Sequence, residues 1–175
     1  MSKGYLLFPT SLGRAGLAWN DRALIAIELP DAGQGKPLSR LRAAAGSEAP
    51  SDAHDLPWIA EAIARLTRYF DGEDEDLSSI PLDYSSAPPF HRKVYDVACR
   101  IGRGQILTYG DIAAQAGSPG ASRAVGQALA KNPLPILVPC HRVVAAGGKP
   151  GGFSAPGGLI TKARLLALEG ARLTP

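Results

Sequence analysis

Residues 108–131, TYGDIAAQAGSPGASRAVGQALAK, decide the fold of the half of the chain in which they lie. Thr108, followed three residues later by Asp111, has the form of a capping box, so a helix is predicted to begin there. Gly117-Ser118-Pro119-Gly120 forces a turn, and Ser122 is predicted to cap a second helix. Two short helices joined by a tight turn are typical of a helix-turn-helix.

The two predicted helices each have a small apolar face. The side chains predicted to be buried are Ile112, Ala113, Ala116, Val125, Ala128 and Leu129. Arg123, Gln127 and Lys131 follow one another at intervals of four and are predicted to point outward. Gly126 lies on the same outer side, where the missing side chain would let a DNA backbone come close. Many helical hairpins carry basic faces without binding nucleic acid. The distribution of charge over the whole chain is therefore a second test.

The charge of the chain is divided unequally between its halves. Residues 1–86 hold 8 Lys and Arg against 13 Asp and Glu, whereas residues 87–175 hold 11 against 3. Concentrated Lys and Arg most commonly neutralise phosphates. The asymmetry therefore favours DNA as the partner of the second half.

Residues 1–86 predict a small sheet followed by helices. Three β-leaning stretches, GYLLFPT, GRAGLAWN and ALIAIELP, are separated by turn-forming residues and indicate an antiparallel meander. Helices are predicted from Leu38 to Ala45 and from Leu56 to Phe70. An acidic run and a loop with several prolines then lead into the second half. The predicted fold class is α+β, with domains at residues 1–86 and 87–175.

The rest of the second half predicts two more helices. An amphipathic helix from Phe90 to Ile101 would carry Cys99 as a buried or partly buried structural residue. A loop rich in Gly and Pro follows at residues 147–158, and a final helix from Leu159 to Glu169 is predicted to end at Gly170.

A thiol follows a run that is predicted to be buried, Ile136-Leu137-Val138. Cysteines attack as thiolates, and the neighbouring His141 and Arg142 are residue types that lower a thiol pKa. On an extended chain adjacent side chains point to opposite faces, so His141 would reach Cys140 only through a bridging water or a bend. From these residues alone, a buried cysteine beside a core histidine remains an alternative to an activated thiol.

The stretches NPLPILVPCHRVV, GQILTYGDIAAQAG, SRAVGQALAKN, GGFSAPGGL and KARLLALEG resemble the O6-alkylguanine-DNA alkyltransferases, also called methylated-DNA-protein-cysteine methyltransferases. The resemblance extends from about Phe90 to Gly170. It implies DNA repair by irreversible, stoichiometric transfer of an alkyl group, such as methyl, from O6-alkylguanine to Cys140, after base flipping by a minor-groove helix-turn-helix. O4-alkylthymine is a further candidate substrate. For residues 1–86 the resemblance is weaker and implies a fold like that of ribonuclease H.

The resemblance also implies roles for single residues. Cys140 matches the alkyl acceptor, His141 the base that draws its proton through a water, and Glu169 the carboxylate that orients this histidine. Asn132 matches a residue that braces the turn before the active-site segment. Tyr109 matches the tyrosine that crowds the target phosphate and donates a hydrogen bond to the departing guanine.

Further residues match contacts to DNA and to the flipped base. Arg123 matches the finger that fills the gap in the base stack. The expected DNA contacts are Arg123, Thr108, Tyr109, Ser122, Gly126 and Gln127. The expected guanine pocket consists of Leu129, Pro135, Val143, Phe153 and Ser154. The segment Ala155-Pro156-Gly157-Gly158 is one residue longer than the simplest form of the pocket loop in the family.

Composition argues against several other classes of protein. Cys99 and Cys140 are too few for a disulfide framework or zinc cluster, and residues 1–86 offer only His54, so neither metal nor cofactor is expected. No stretch has membrane-spanning length and no signal peptide is recognised, so a cytoplasmic protein is expected. The resemblance implies double-stranded DNA carrying O6-alkylguanine as the partner, and the protein is expected to act as a monomer. Three rival interpretations are a cysteine hydrolase, a transcription factor and a non-catalytic relative of the family. Such relatives commonly have tryptophan in place of the cysteine.

Overall fold

The structure is a computed structural model that describes residues 3–31, 38–47, 49–53 and 56–171. It divides into two compact units, Met1–Asp83 and Tyr84–Pro175. Within the described ranges, no helix is both long and apolar enough to cross a membrane.

The first unit is a three-stranded antiparallel meander with two helices, which confirms the predicted α+β character. Its elements are β1 (Gly4–Thr10), β2 (Gly13–Trp19), β3 (Leu24–Asp31), α1 (Leu38–Ala45) and α2 (Pro57–Phe70). The strands pair in the order β1-β2-β3. Tyr5, Ala18 and Ala26 of the sheet pack with Leu41 and Ala45 of α1 in one buried cluster. Because Leu17, Ala18 and Trp19 follow one another in β2 and are all buried, the middle strand is covered on both faces.

The second unit is mostly helical. Its elements are α3 (Pro89–Ala98), β4 (Leu107–Thr108), α4 (Tyr109–Gln115), α5 (Ser122–Ala130), β5 (Val143–Val144) and α6 (Gly158–Leu168). The Tyr95 hydroxyl donates a 2.8 Å hydrogen bond to the Ala128 carbonyl, which ties α3 to α5 inside the core. The last helix ends as predicted, since Gly170 has a φ of 78° and closes the C-terminus in the left-handed region.

The predicted helix-turn-helix is confirmed as a pair of helices, α4 and α5. Thr108 and Asp111 form the predicted capping box, with the Asp111 amide donating to Thr108 Oγ1 over 3.1 Å. Ser122 does not cap α5, contrary to prediction. The turn is closed by a hydrogen bond from the Ala121 amide to the Ser118 carbonyl, so the helix is entered at Ala121 and Ser122 is already its first residue.

Cys99 is more exposed than predicted. Helix α3 ends at Ala98, and Cys99 is its exposed C-terminal cap residue. Its sulfur lies 3.7 Å from the Leu137 carbonyl. Burial of the sulfur nevertheless raises the pKa of Cys99 to about 11. The thiol is therefore protonated at neutral pH.

Candidate functional site

Two short strands bring the helix-turn-helix to the cysteine segment. Strands β4 and β5 pair in parallel, with Leu107 opposite Val143 and Thr108 opposite Val144. Tyr109 follows β4 directly, and Cys140 lies three residues before β5. The pairing thus brings the first residue of α4 near the thiol.

Cys140 lies at the end of a buried segment, as predicted. Asn132 fixes this segment at both ends, because its Oδ1 accepts from the Leu134 amide over 2.9 Å and its Nδ2 donates to the Val138 carbonyl over 2.8 Å. Ile136 between them has a φ of 73°, a conformation that β-branched residues rarely adopt. The chain then bends through a 3-10 turn, Cys140–Arg142.

The thiol of Cys140 needs a base to become nucleophilic. Burial raises the pKa of the Cys140 thiol, while a hydrogen bond from Asn132, the positive charge of Lys162 and nearby backbone N–H groups lower it. Burial is the largest of these effects, so the sulfur is protonated at rest. A reaction at this sulfur therefore requires a proton acceptor.

His141, next to Cys140 in the chain, is the candidate for that acceptor. The residue is fully buried, and its Nε2 lies 2.7 Å from Oε1 of Glu169. Burial lowers the pKa of His141, and the hydrogen bond and charge of Glu169 raise it. Nδ1 is buried without a hydrogen-bond partner among the described residues. A neutral ring with its proton on Nε2 leaves the Nδ1 lone pair able to take a proton.

Arg142 does not point at the thiol, although its place beside Cys140 in the sequence suggested that it would. Its Nε donates to Oε2 of Glu169 over 2.9 Å and its Nη2 to Oε1 over 2.8 Å. The 3-10 turn directs the two side chains differently, so the guanidinium binds the carboxylate that also binds His141.

Lys162 is a site residue that the sequence analysis missed. It is fully buried on α6, and its Nζ donates to the carbonyls of Val143, over 2.5 Å, and Gly152, over 3.2 Å. Burial lowers its pKa to about 8. A signal was present, since Lys162 and Glu169 share the buried stripe of α6 with Leu165 and Leu166.

A cavity of about 540 Å³ leads to Cys140. It is lined by Tyr109, Ser122, Arg123, Gly126, Gln127, Leu129, Ala130, Cys140, Gly152, Phe153 and Ser154. Many of the predicted DNA and pocket residues thus surround one space above the sulfur.

The loop after Lys149 forms one wall of this cavity. The Tyr109 hydroxyl donates to the Gly152 carbonyl over 3.3 Å, and Ser154 Oγ donates to the Ala130 carbonyl over 3.1 Å. Gly151 has a φ of 68°, and a Cβ there would lie 2.7 Å from the Tyr109 ring. Only glycine permits this close approach.

Some predicted residues lie elsewhere. Pro135 and Val143 are buried and are not among the described residues that line the cavity. Thr108 caps α4, and Asn132 holds the cysteine segment from behind. His54 lies outside the described residues.

The outer face of α5 continues from the mouth of the cavity. Arg123, Gln127 and Lys131 are exposed along it, as predicted from their spacing, and Gly126 is half-buried between them. A cationic helix face thus borders an opening that ends at a thiol.

Comparisons with known proteins match both halves of the chain to one family. Residues 4–84 match the family described as 6-O-methylguanine DNA methyltransferase, ribonuclease-like domain, and residues 89–171 match its DNA binding domain. Methylated-DNA-protein-cysteine methyltransferase of Methanothermobacter thermautotrophicus is 34% identical over 90% of this chain and 80% of its own. That of Mycobacterium leprae is 41% identical over 79% and 83%. The crystal structure of Mycobacterium tuberculosis OGT in complex with DNA matches 96% of this chain and 94% of its own, with 32% identity and a TM-score of 0.77.

Proposed function

The chain belongs to the 6-O-methylguanine DNA methyltransferase family, and we propose that Cys140 is the residue on which it collects the alkyl group. It is a transferase of the methylated-DNA-protein-cysteine methyltransferase kind and repairs DNA by alkyl transfer. The observation that carries the assignment to Cys140 is its position at the end of the cavity bordered by α5. The substrate is O6-alkylguanine in double-stranded DNA, with O4-alkylthymine as a second candidate.

In the proposed reaction the Cys140 sulfur attacks the alkyl carbon, a C–S bond forms and the bond from carbon to guanine O6 breaks. The thiol proton passes through a bridging water to Nδ1 of His141, whose other nitrogen is held by Glu169. The guanine leaves with an electron pair and takes a proton from the Tyr109 hydroxyl. The protonated His141 then returns a proton to the Tyr109 oxygen, which restores both side chains. In total, one proton has moved from the thiol to the guanine.

The base reaches Cys140 by flipping out of the duplex. Arg123 is exposed at the start of α5, where its guanidinium can fill the vacated place in the base stack. Gly126 lets the backbone approach, and Thr108, Tyr109, Ser122 and Gln127 contact the strand around the target nucleotide. Several neutralised phosphates make this binding salt-dependent.

The flipped guanine lies against Leu129, Phe153 and Ser154, which line the cavity. Pro135 and Val143 support this pocket from within the core, since both are buried. Asn132 keeps the sulfur at its place through the two hydrogen bonds that fix the segment before it.

We propose that residues 87–175 carry this chemistry as one domain and that residues 1–86 form a second, ribonuclease H-like domain. We assign the protein to the cytoplasm, at the nucleoid when bound to DNA, and expect it to act as a monomer.

Transfer is stoichiometric, because a thioether has no good leaving group and the reaction has no step that restores the thiol. Intact mass spectrometry after incubation with an O6-methylguanine duplex tests this. One methylene mass should appear on each protein molecule and map to Cys140. C140S should gain nothing, whereas the matched variant C99S should be modified fully. Modification at another residue, or turnover beyond one equivalent, would contradict the proposal.

A further inference from the structure

Arg142 has no role in the mechanism above, although it contacts the acid of the proposed Cys-His-Glu arrangement. We infer that Arg142 is a positioning residue that holds Glu169 and offsets its charge, so that His141 stays neutral with Nδ1 open to the thiol proton. This inference rests on the proposed function of His141 as the base.

The geometry is that of a side-on guanidinium-carboxylate pair. Nε and Nη2 of Arg142 donate to the two oxygens of Glu169 over 2.9 and 2.8 Å. Nη1 donates to the Ile101 carbonyl over 2.5 Å and anchors the guanidinium to the chain after α3. Such parallel hydrogen bonds fix the plane of the carboxylate as well as its distance. Glu169 therefore meets His141 in one orientation.

The Glu169 carboxylate needs a neighbouring cation to stay ionised, because it is buried. The Glu169 side chain is fully buried and that of Arg142 is 13% exposed. A buried carboxylate without a cation is strongly disfavoured in its charged form. Arg142 thus keeps Glu169 ionised and able to accept the proton of Nε2.

The same cation acts on His141. The charged groups that face the ring are Glu169 and Lys162 from α6 and its end and Arg142 from its own turn, and Cys140 is the neighbouring titratable group. Glu169 raises the pKa of His141, whereas Arg142 and Lys162 lower it together with burial. With two cations against one anion, the neutral ring is favoured.

Removing the charge of Arg142 should therefore place a proton on the His141-Glu169 pair. The pair would otherwise keep a buried negative charge with less compensation, and taking up a proton removes that charge. If the proton lies on Glu169, the carboxyl donates to Nε2 and the neutral ring carries its hydrogen on Nδ1. If the proton lies on the ring, both ring nitrogens carry hydrogen. In both cases Nδ1 cannot accept the thiol proton. The variant would be inactive at neutral pH but competent once the extra proton is lost.

The test is the pH dependence of single-turnover transfer by R142Q, R142K and wild-type protein. In R142Q the acidic limb of the pH-rate profile should move to higher pH by about one to three units. At pH values above this limb the rate should recover towards that of wild type. R142K keeps the charge, so its limb should stay in place while its rate falls at all pH values. Arg164 is an exposed arginine on α6, and R164Q should match wild type. A uniform loss in R142Q at every pH, or no loss, would overturn the inference.

NMR of the histidine ring nitrogens provides a second readout that needs no substrate. Wild-type and R142K proteins should show His141 neutral at pH 7 with Nδ1 unprotonated, and R142Q should show Nδ1 protonated. A protonated His141 in wild type overturns the role of Arg142 even if R142Q fails to fold. A wild-type protein that transfers no alkyl group overturns the proposed function instead, and the NMR comparison still decides the role of Arg142.

Discussion

Asn132 and Val138 are joined across the segment before the nucleophile by a buried hydrogen bond of 2.8 Å from Nδ2 to the carbonyl. The same amide accepts from the Leu134 backbone, so one side chain closes the segment at both ends. It also contributes a hydrogen bond to the Cys140 thiol that lowers the thiol pKa. The position of the sulfur thus depends on a residue eight places before it.

N132A should be destabilised by about 1–3 kcal/mol, because buried backbone groups lose their partners. Transfer should slow as well, since the sulfur is no longer held. Asn20 offers a matched control in the first unit, where its side chain accepts from the Arg22 and Ala23 amides. Urea unfolding and single-turnover rates measure both effects. N20A should lose stability but keep its rate in folded protein, and a normal rate for N132A would contradict this role.

R123A should slow repair of duplex DNA far more than transfer from free O6-benzylguanine, if the cavity admits that base. Only the duplex substrate must be flipped, and flipping costs a few kcal/mol. K131A, which removes an exposed charge further along the same helix face, should instead weaken duplex binding in a salt-dependent way. Equal losses of R123A on both substrates would argue for a role other than filling the base stack.

The buried Lys162 should make the stability of the protein depend on pH in the alkaline range. Burial lowers its pKa in the folded protein from 10.5 to about 8, so between these values the unfolded chain binds the proton that the folded chain has lost. Stability contributed by this group therefore rises with pH across that window. Each pH unit within this window adds about 1.4 kcal/mol to the free energy of unfolding. The stability of wild-type protein relative to K162M should therefore rise by about 3 kcal/mol in total. Denaturant unfolding of both proteins from pH 7 to 10.5 measures it, and a constant difference would contradict the lowered pKa.

Methylation of Cys140 should destabilise the protein. The residue is only 9% exposed, and overpacking by a methyl-sized group costs about 1–3 kcal/mol. The sulfur also loses the proton through which it can donate a hydrogen bond. Each kcal/mol lowers the melting temperature by roughly 2–8 °C in a domain of this size, and the strain should loosen α5 and release repaired DNA. Scanning fluorimetry of methylated and unmethylated protein is the measurement, with C140S treated identically as control. An unchanged melting temperature would mean that the pocket has spare room.

Much of the fold followed from local patterns in the sequence. The capping box at Thr108, the strong turn after α4 and the helical stripe of α5 each had a short-range cause, and the structure contains all three. Ser122 failed as a cap because the turn before it is closed by backbone hydrogen bonds, which side-chain preferences do not reveal. Cys99 was misjudged because α3 ends one residue before it.

Contacts between distant segments were harder to predict. Resemblance to the family suggested the pairing of His141 with Glu169, but the binding of Arg142 to the same carboxylate depends on the bend after Cys140. The burial of Lys162 depends on carbonyls of β5 and of the loop before α6. Long-range geometry of this kind has no signature at any fixed spacing in the sequence.

Helix α6 is fixed at two places, Lys162 and Glu169, while Gly152, Phe153 and Ser154 in the loop before it form a wall of the cavity. Insertions or deletions in that loop would change which alkyl adducts fit the cavity, but they would not rotate Lys162 and Glu169 relative to each other. An insertion inside the helix between its two fixed residues would turn one of them by about 100° relative to the other. The chain can therefore vary its substrate range by altering loop length, whereas the seven-residue separation of Lys162 and Glu169 should tolerate no change.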